Sequence, residues 1–263
     1  MLGSRIATAA VLLVAFAALL FFAPRWLWIA FCAVALAAAA WEWGRLAKLR
    51  TLWNALFAAV LVALFAGAAL RASSDTTFVA YGAALLFWVI GAPLWLWFRP
   101  SLPGPLVPAL AGLVVLTPAF LAVVELREAG AAWLLALMAI AWVSDTAAYF
   151  AGRRFGRRKL APAISPGKTW EGFWGAMIAV AVYACLLGVF AEPMLHGRGT
   201  LEFVVMALVL AVLGVVGDLL ESQLKRSAGV KDSGTVLPGH GGVLDRIDAL
   251  LPLLPAAALA FGQ

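Results

Sequence analysis

Charge is scarce in this chain. Only 12% of the residues are charged while 65% are apolar, and the mean hydropathy is +1.01. A soluble domain does not hold that ratio, so the balance predicts a polytopic membrane protein. Long polar segments are almost missing as well, which leaves no room for a separate soluble domain. Cysteine is reduced to Cys32 and Cys185, far apart and both inside apolar runs. That placement excludes a disulfide framework and a thiolate metal site. The chain is nonetheless basic, with a formal charge of +6 and a pI near 9.8. No aromatic-basic surface module accompanies the excess, so nucleic acid is excluded as a partner. The excess reads instead as membrane topology with attraction to anionic lipid or nucleotide. No internal repeat is visible.

What is present is a series of apolar runs, each about long enough to cross ~30 Å of hydrocarbon as a helix. They lie at roughly 6–23, 26–41, 52–70, 78–98, 106–124, 131–151, 172–190, 201–220 and 244–262. The fold expected is an all-α polytopic integral membrane protein with about nine transmembrane helices and a polar site on the cytoplasmic side. The start, MLGSRIATAAVLLVAF, resembles a signal peptide. A second apolar run follows almost at once, so it reads as an uncleaved first helix. The last run is interrupted by Pro252 and Pro255 and opens on charge. With the N-terminus inside and the C-terminus outside, fifteen of the Lys and Arg residues fall on the cytoplasmic side. Four fall outside: Arg25, Arg71, Arg127 and Arg198. This count puts loops 152–171 and 221–245 in the cytoplasm. Tryptophans gather near span ends, as an interfacial belt would.

The polar residues collect in three places. Ser144-Asp145-Thr146 lies about two turns before the end of the sixth span, with Tyr149 one turn on along the same face. An isolated carboxylate at that depth is costly, so Asp145 is neutralised by protonation, pins helices through an arginine, or faces a site. Loop 152–171 carries five basic residues in seven positions (153–159), which suit topology or an anionic head group or polyphosphate. Its Ser165-Pro166-Gly167-Lys168-Thr169 ends like a phosphate-binding P-loop. Pro162 stands where that motif needs glycine, and no strand is expected before it, so the P-loop reading fails. What survives is a turn with exposed amides, a hydroxyl and a lysine at a helix start, followed by Glu171. The richest stretch is Gly217–Asp248. Asp218, Glu221, Ser222 and Lys225 are spaced along one helix face. Arg226, Lys231-Asp232, a glycine-rich turn around His240, and Asp245-Arg246-Ile247-Asp248 follow. Carboxylates on two helices flanking such a loop suit Mg²⁺, which takes a few carboxylates plus substrate phosphates. Magnesium beside lysines points to phosphoryl or nucleotidyl transfer.

Ser222, Leu224, Lys225, Arg226, Lys231, Asp232, Gly234, Leu237, Pro238, His240, Gly241, Gly242, Val243 and Asp245 to Asp248 form a spaced pattern over twenty-seven residues. It resembles, at every specified position, the signature of the phosphatidate cytidylyltransferases, also called CDP-diacylglycerol synthases. Ser144-Asp145-Thr146 with Tyr149-Phe150 and Gly152-Arg153, and Ile164 to Gly172, resemble the same family's other blocks. Ala147 departs from a glycine expected in that family and removes no functional group. The resemblance is firm over about residues 140–250. It implies an Mg²⁺-dependent integral membrane enzyme, with one or two metal ions in its metal site, that condenses CTP with phosphatidic acid. The products would be CDP-diacylglycerol and pyrophosphate. It also implies a homodimer in the bacterial inner membrane with the site facing the cytoplasm. Asp218 and Asp245 would hold the metal. Lys225, Arg226, Lys231 and Asp232 would serve catalysis. Asp145, Ser165, Lys168, Thr169, Glu171, Ser222, His240, Arg246 and Asp248 would bind substrate. On this reading residues 1–130 are lipid-facing or dimerising helices, and 131–263 form the catalytic membrane region.

Two rivals have sequence-level discriminators. A CTP-dependent transferase or kinase acting on another lipid or polyprenol would share the polar site and differ in its lipid-facing helices. A transporter would spread polar residues along a path through several spans, whereas spans one to five here are almost bare.

Overall fold

The computed structural model describes residues 13–71, 74–98, 104–191, 195, 197–236 and 241–261. The chain is an all-α membrane protein apart from one short hairpin. In order the elements are α1 (Leu13–Phe22), α2 (Arg25–Leu46), α3 (Thr51–Arg71) and α4 (Ser74–Leu86). A π-helical turn (Phe87–Gly91) joins α4 to α5 (Ala92–Phe98), and α6 (Leu106–Ala129) and α7 (Ala131–Phe155) follow. The hairpin is β1 (Lys159–Ala161) and β2 (Ser165–Thr169). Then come α8 (Trp170–Phe190), α9 (Thr200–Ala228), α10 (Leu244–Ile247) and α11 (Leu250–Phe261). Apolar runs fold this way because a helix satisfies its own backbone polar groups where no water is available.

Among the described residues, seven helical stretches are long and apolar enough to cross a membrane. α6 is the central one, with 67% of its apolar window buried. α3 and the α4–α5 stretch bury only 22%. On α3, Leu52, Leu56, Val60 and Leu64 form an exposed apolar row at four-residue spacing. The first apolar run is described only from Leu13. The last departs from a single continuous helix. It breaks after Ile247, and the 12 residues of α11 rise only about 18 Å. The helix α11 is apolar all round and buried, packed among α4, α6, α7 and α9. Its interior Pro255 is tolerated because neighbouring helices cover the freed backbone.

Helix ends are set by local signals. Pro24 and Pro105 precede α2 and α6, where a missing N–H leaves nothing unpaired. The helix α9 stops at Gly229, in the left-handed region at φ +75°. There the N–H groups of Gly229 and Val230 return to the carbonyls of Arg226 and Lys225. The end of α2 has the same bonding, with Lys48 at φ 60° in glycine's place.

The basic loop also differs from the expected turn. Residues 159–169 form an antiparallel hairpin, with Lys159 opposite Thr169 and Ala161 opposite Ser165. A strand is therefore present after all, but Lys168 and Thr169 lie within it rather than after it, so no P-loop forms.

Three of the four cations assigned to the outside by charge count, Arg25, Arg127 and Arg198, bond helix ends to one another. Arg25 bonds Glu128 at 2.6 Å and the Ala69 carbonyl. Arg127 caps the end of α1 at the Leu20 and Ala23 carbonyls. Arg198 bonds Glu202 and the Ala260 carbonyl. These contacts join the ends of α1, α3, α6 and α11 to the starts of α2 and α9. The polar loops join the other end, where α2, α7 and α9 finish and α8 begins.

Candidate active site

At that second end, α7, the hairpin, α8 and α9 enclose a cavity of about 450 Å³, the size of a small-ligand site. The last turns of α7 supply Ser144, Asp145, Tyr149, Gly152 and Arg153, which share a face at helical spacing. The hairpin supplies Lys159, Ser165, Lys168 and Thr169, and α9 supplies Asp218. The two walls α7 and α8 meet closely because Gly172 has no side chain. A Cβ there would stand 2.8 Å from the Ala148 carbonyl oxygen. Thr169 caps α8, its hydroxyl accepting from the Gly172 N–H at 3.1 Å.

Ionic pairs organise the floor. The ammonium of Lys168 pairs with the Asp218 carboxylate, joining the hairpin to α9. The hydroxyl of Ser222 donates to Asp218 Oδ1 at 3.3 Å. One turn further along α9, Lys225 sits between two carboxylates, 2.5 Å from Glu221 and 2.7 Å from Asp245. Asp245 also accepts from the N–H groups of Gly242 at 2.8 Å and Ser233 at 3.0 Å. Asp248 lies between α10 and α11, its side chain accepting from the Ala249 N–H at 2.8 Å. Oε1 of the buried Glu221 has no hydrogen-bond partner among the described residues. Carboxylates therefore outnumber the lysines that meet them here. Among the described residues, no three Asp, Glu, His or Cys side chains are grouped closely enough to cage a metal unaided.

A family model described as "Cytidylyltransferase family" matches residues 3–262. The chain belongs to the cytidylyltransferase family. Curated relatives agree over nearly full length. It is 35% identical to a phosphatidate cytidylyltransferase of Haemophilus influenzae, over 97% of this chain and 96% of that protein. It is 36% identical to one of Pseudomonas aeruginosa, over 98% and 96%. A phosphatidate cytidylyltransferase of Thermotoga maritima is 42% identical over 51% of each chain.

Within this cytidylyltransferase, the structure sorts the residues marked in the sequence into three groups. Asp145, Ser165, Lys168, Thr169 and Asp218 line the cavity. Ser222, Lys225, Asp245 and Asp248 lie beside it, coupled through α9. Arg226, Lys231, Asp232 and Arg246 are exposed and do not line it. Arg226 instead reaches the Ile164 carbonyl at 3.4 Å, tying α9 to the hairpin turn. His240 lies outside the described residues. Glu171 points away from the cavity. Its carboxylate accepts from the backbone N–H groups of Arg157 and Arg158 at 3.0–3.2 Å and folds the basic loop against α8.

One residue was not legible as part of this region. Glu42 of α2 is fully buried and accepts three bonds from residues 233–244. Its signal was its solitude: it is the only acidic residue in the first 74.

Proposed function

We propose that this chain transfers a cytidylyl group from CTP to phosphatidic acid, giving CDP-diacylglycerol and pyrophosphate for phospholipid synthesis. The observation that carries the reading is the cavity itself. A hairpin lysine meets an α9 carboxylate at its floor, basic residues stand at its mouth, and lipid-facing aromatics flank it. Tyr149, Phe150, Phe155, Trp170 and Trp174 are exposed on α7 and α8 around the basic loop, where an interfacial lipid would lie. The relatives' names supply the substrates that this geometry suits.

The residues fit Mg²⁺, because carboxylates exceed lysines and Glu221 keeps an unpaired oxygen. Asp218 and Asp245 would hold it, with triphosphate oxygens completing the set, and a second ion is compatible with the same surplus. When bound, the ion would neutralise charge across the triphosphate. The protein's own part is positioning and charge. A phosphate oxygen of phosphatidic acid attacks the α-phosphorus of CTP. The new P–O bond forms as the bond to the β-phosphate oxygen breaks, and pyrophosphate leaves. Lys168, Lys225 and the arginines of the basic loop offset its charge. Phosphatidic acid is already a competent nucleophile near neutral pH, so no strong general base is required.

Further parts of the reading concern the setting. The chain would sit in a bacterial inner membrane with nine crossings, N-terminus inside and C-terminus outside. α10 and α11 together, broken at Asp248, would form the last. A homodimer would use faces of the first 130 residues, such as the exposed row on α3. The test is nucleotide-selective stabilisation in detergent. With Mg²⁺ present, CTP should raise the unfolding temperature more than ATP or UTP, and EDTA should remove the difference. Equal stabilisation by all three nucleotides would overturn the reading.

A further inference from the structure

The loop that follows α9 is tied shut at its neck, and the tie comes from the other half of the chain. Oε1 of Glu42 accepts from the Val243 N–H at 3.0 Å. Its Oε2 accepts from the Leu244 N–H and the Ser233 hydroxyl, both at 2.9 Å. Ser233 opens the loop and Val243-Leu244 close it, so one carboxylate holds both ends. Asp245 grips the same neck from the other side, through the N–H groups of Ser233 and Gly242. Ser233 is thus shared, its N–H on Asp245 and its hydroxyl on Glu42.

The fit around Glu42 is specific to that group. A Cβ on Gly242 would stand 2.5 Å from Glu42 Oε2, and one on Gly234 would stand 2.8 Å from its Cδ. The three groups that bond the carboxyl are all donors, which only an acceptor-only group can satisfy together. Glutamine keeps the volume but turns an NH₂ toward an N–H or a hydroxyl, leaving a buried donor unpaired. None of the three bonds goes to another long helix. Their loss would free the loop without unpacking the bundle.

We propose that Glu42 is a positioning residue for the transfer reaction. From α2 it holds Ser233 against Val243 and Leu244 and so sets the Asp245 carboxylate against Lys225. The proposal rests on the reading of residues 217–248 as active-site residues. It assigns a functional task to a helix in the N-terminal half of the chain.

The experiment compares wild type with Glu42→Gln as full-length protein in detergent, by steady-state kinetics and by amide hydrogen exchange. The expected kcat for CDP-lipid formation falls roughly 10- to 100-fold, the scale of a misplaced catalytic group. KM for CTP should change less than about threefold, because the α7–α8 cavity is untouched. Exchange at Val243 and Leu244 should accelerate while α6 and α11 keep their protection. A kcat within about twofold of wild type overturns the proposal. So does unchanged exchange at those two amides, or a loss of α6 and α11 protection that accompanies the loss of activity. If Glu42→Gln does not fold, Ser233→Ala carries the same readouts. It removes one donor, and a kcat loss of about threefold to tenfold is expected, that of one hydrogen bond. Wild-type kcat with wild-type exchange would overturn the proposal. An inactive wild type would instead overturn the functional reading, and the exchange comparison would still decide whether Glu42 holds the neck.

Discussion

The residues that matter most here are those whose charge has a stated partner. Asp245 is the clearest case. Its carboxyl meets Lys225 at 2.7 Å and accepts from the backbone N–H groups of Ser233 and Gly242. Asp218, Lys168, Lys225 and Asp245 were legible in sequence because charge in so apolar a chain has few bland explanations. Glu171 was legible as a helix-start acid, but not as the anchor of a loop thirteen residues before it, since that depends on how the hairpin folds back. Glu42 was missed because a single acid near a span end looks like an interfacial residue. Its partners lie about two hundred positions away.

At the scale of elements, the long helices followed from hydrophobic length, and their ends from proline and glycine. The hairpin did not, because eleven residues with two prolines, a glycine and two lysines carry no strand pattern. The break in the last span did not either. Pro252 and Pro255 hinted at it, yet the kink falls before both, at Asp248, where the chain passes the α9 carboxylates. Gly229 is the element-level position most open to test. It ends α9 at φ +75° and launches the loop toward Ser233. Alanine there should cost about 1 kcal/mol, because a Cβ is disfavoured in the left-handed region. Thermal unfolding of Gly229→Ala in detergent measures this. An unfolding temperature equal to wild type would mean that the turn does not need that conformation.

For the whole molecule, one end of the bundle is closed by structural pairs and the other holds the candidate site. Arg25, Arg127 and Arg198 stitch helix ends together. At the opposite end, a soluble triphosphate and a membrane-bound phosphate can meet over Lys168 and Asp218 while the acyl chains stay in the bilayer. Stretch 217–248 holds only part of that arrangement. The hairpin, the end of α7 and the carboxylate of α2 complete it, which is why no single motif described the site. The most direct measurement follows ³²P from α-labelled CTP into lipid with purified protein and phosphatidic acid. Wild type should form labelled CDP-diacylglycerol, while Asp218→Asn and Asp245→Asn should each lose at least about a hundredfold in turnover, the scale of a removed electrostatic group. Near wild-type turnover in both variants would contradict the account.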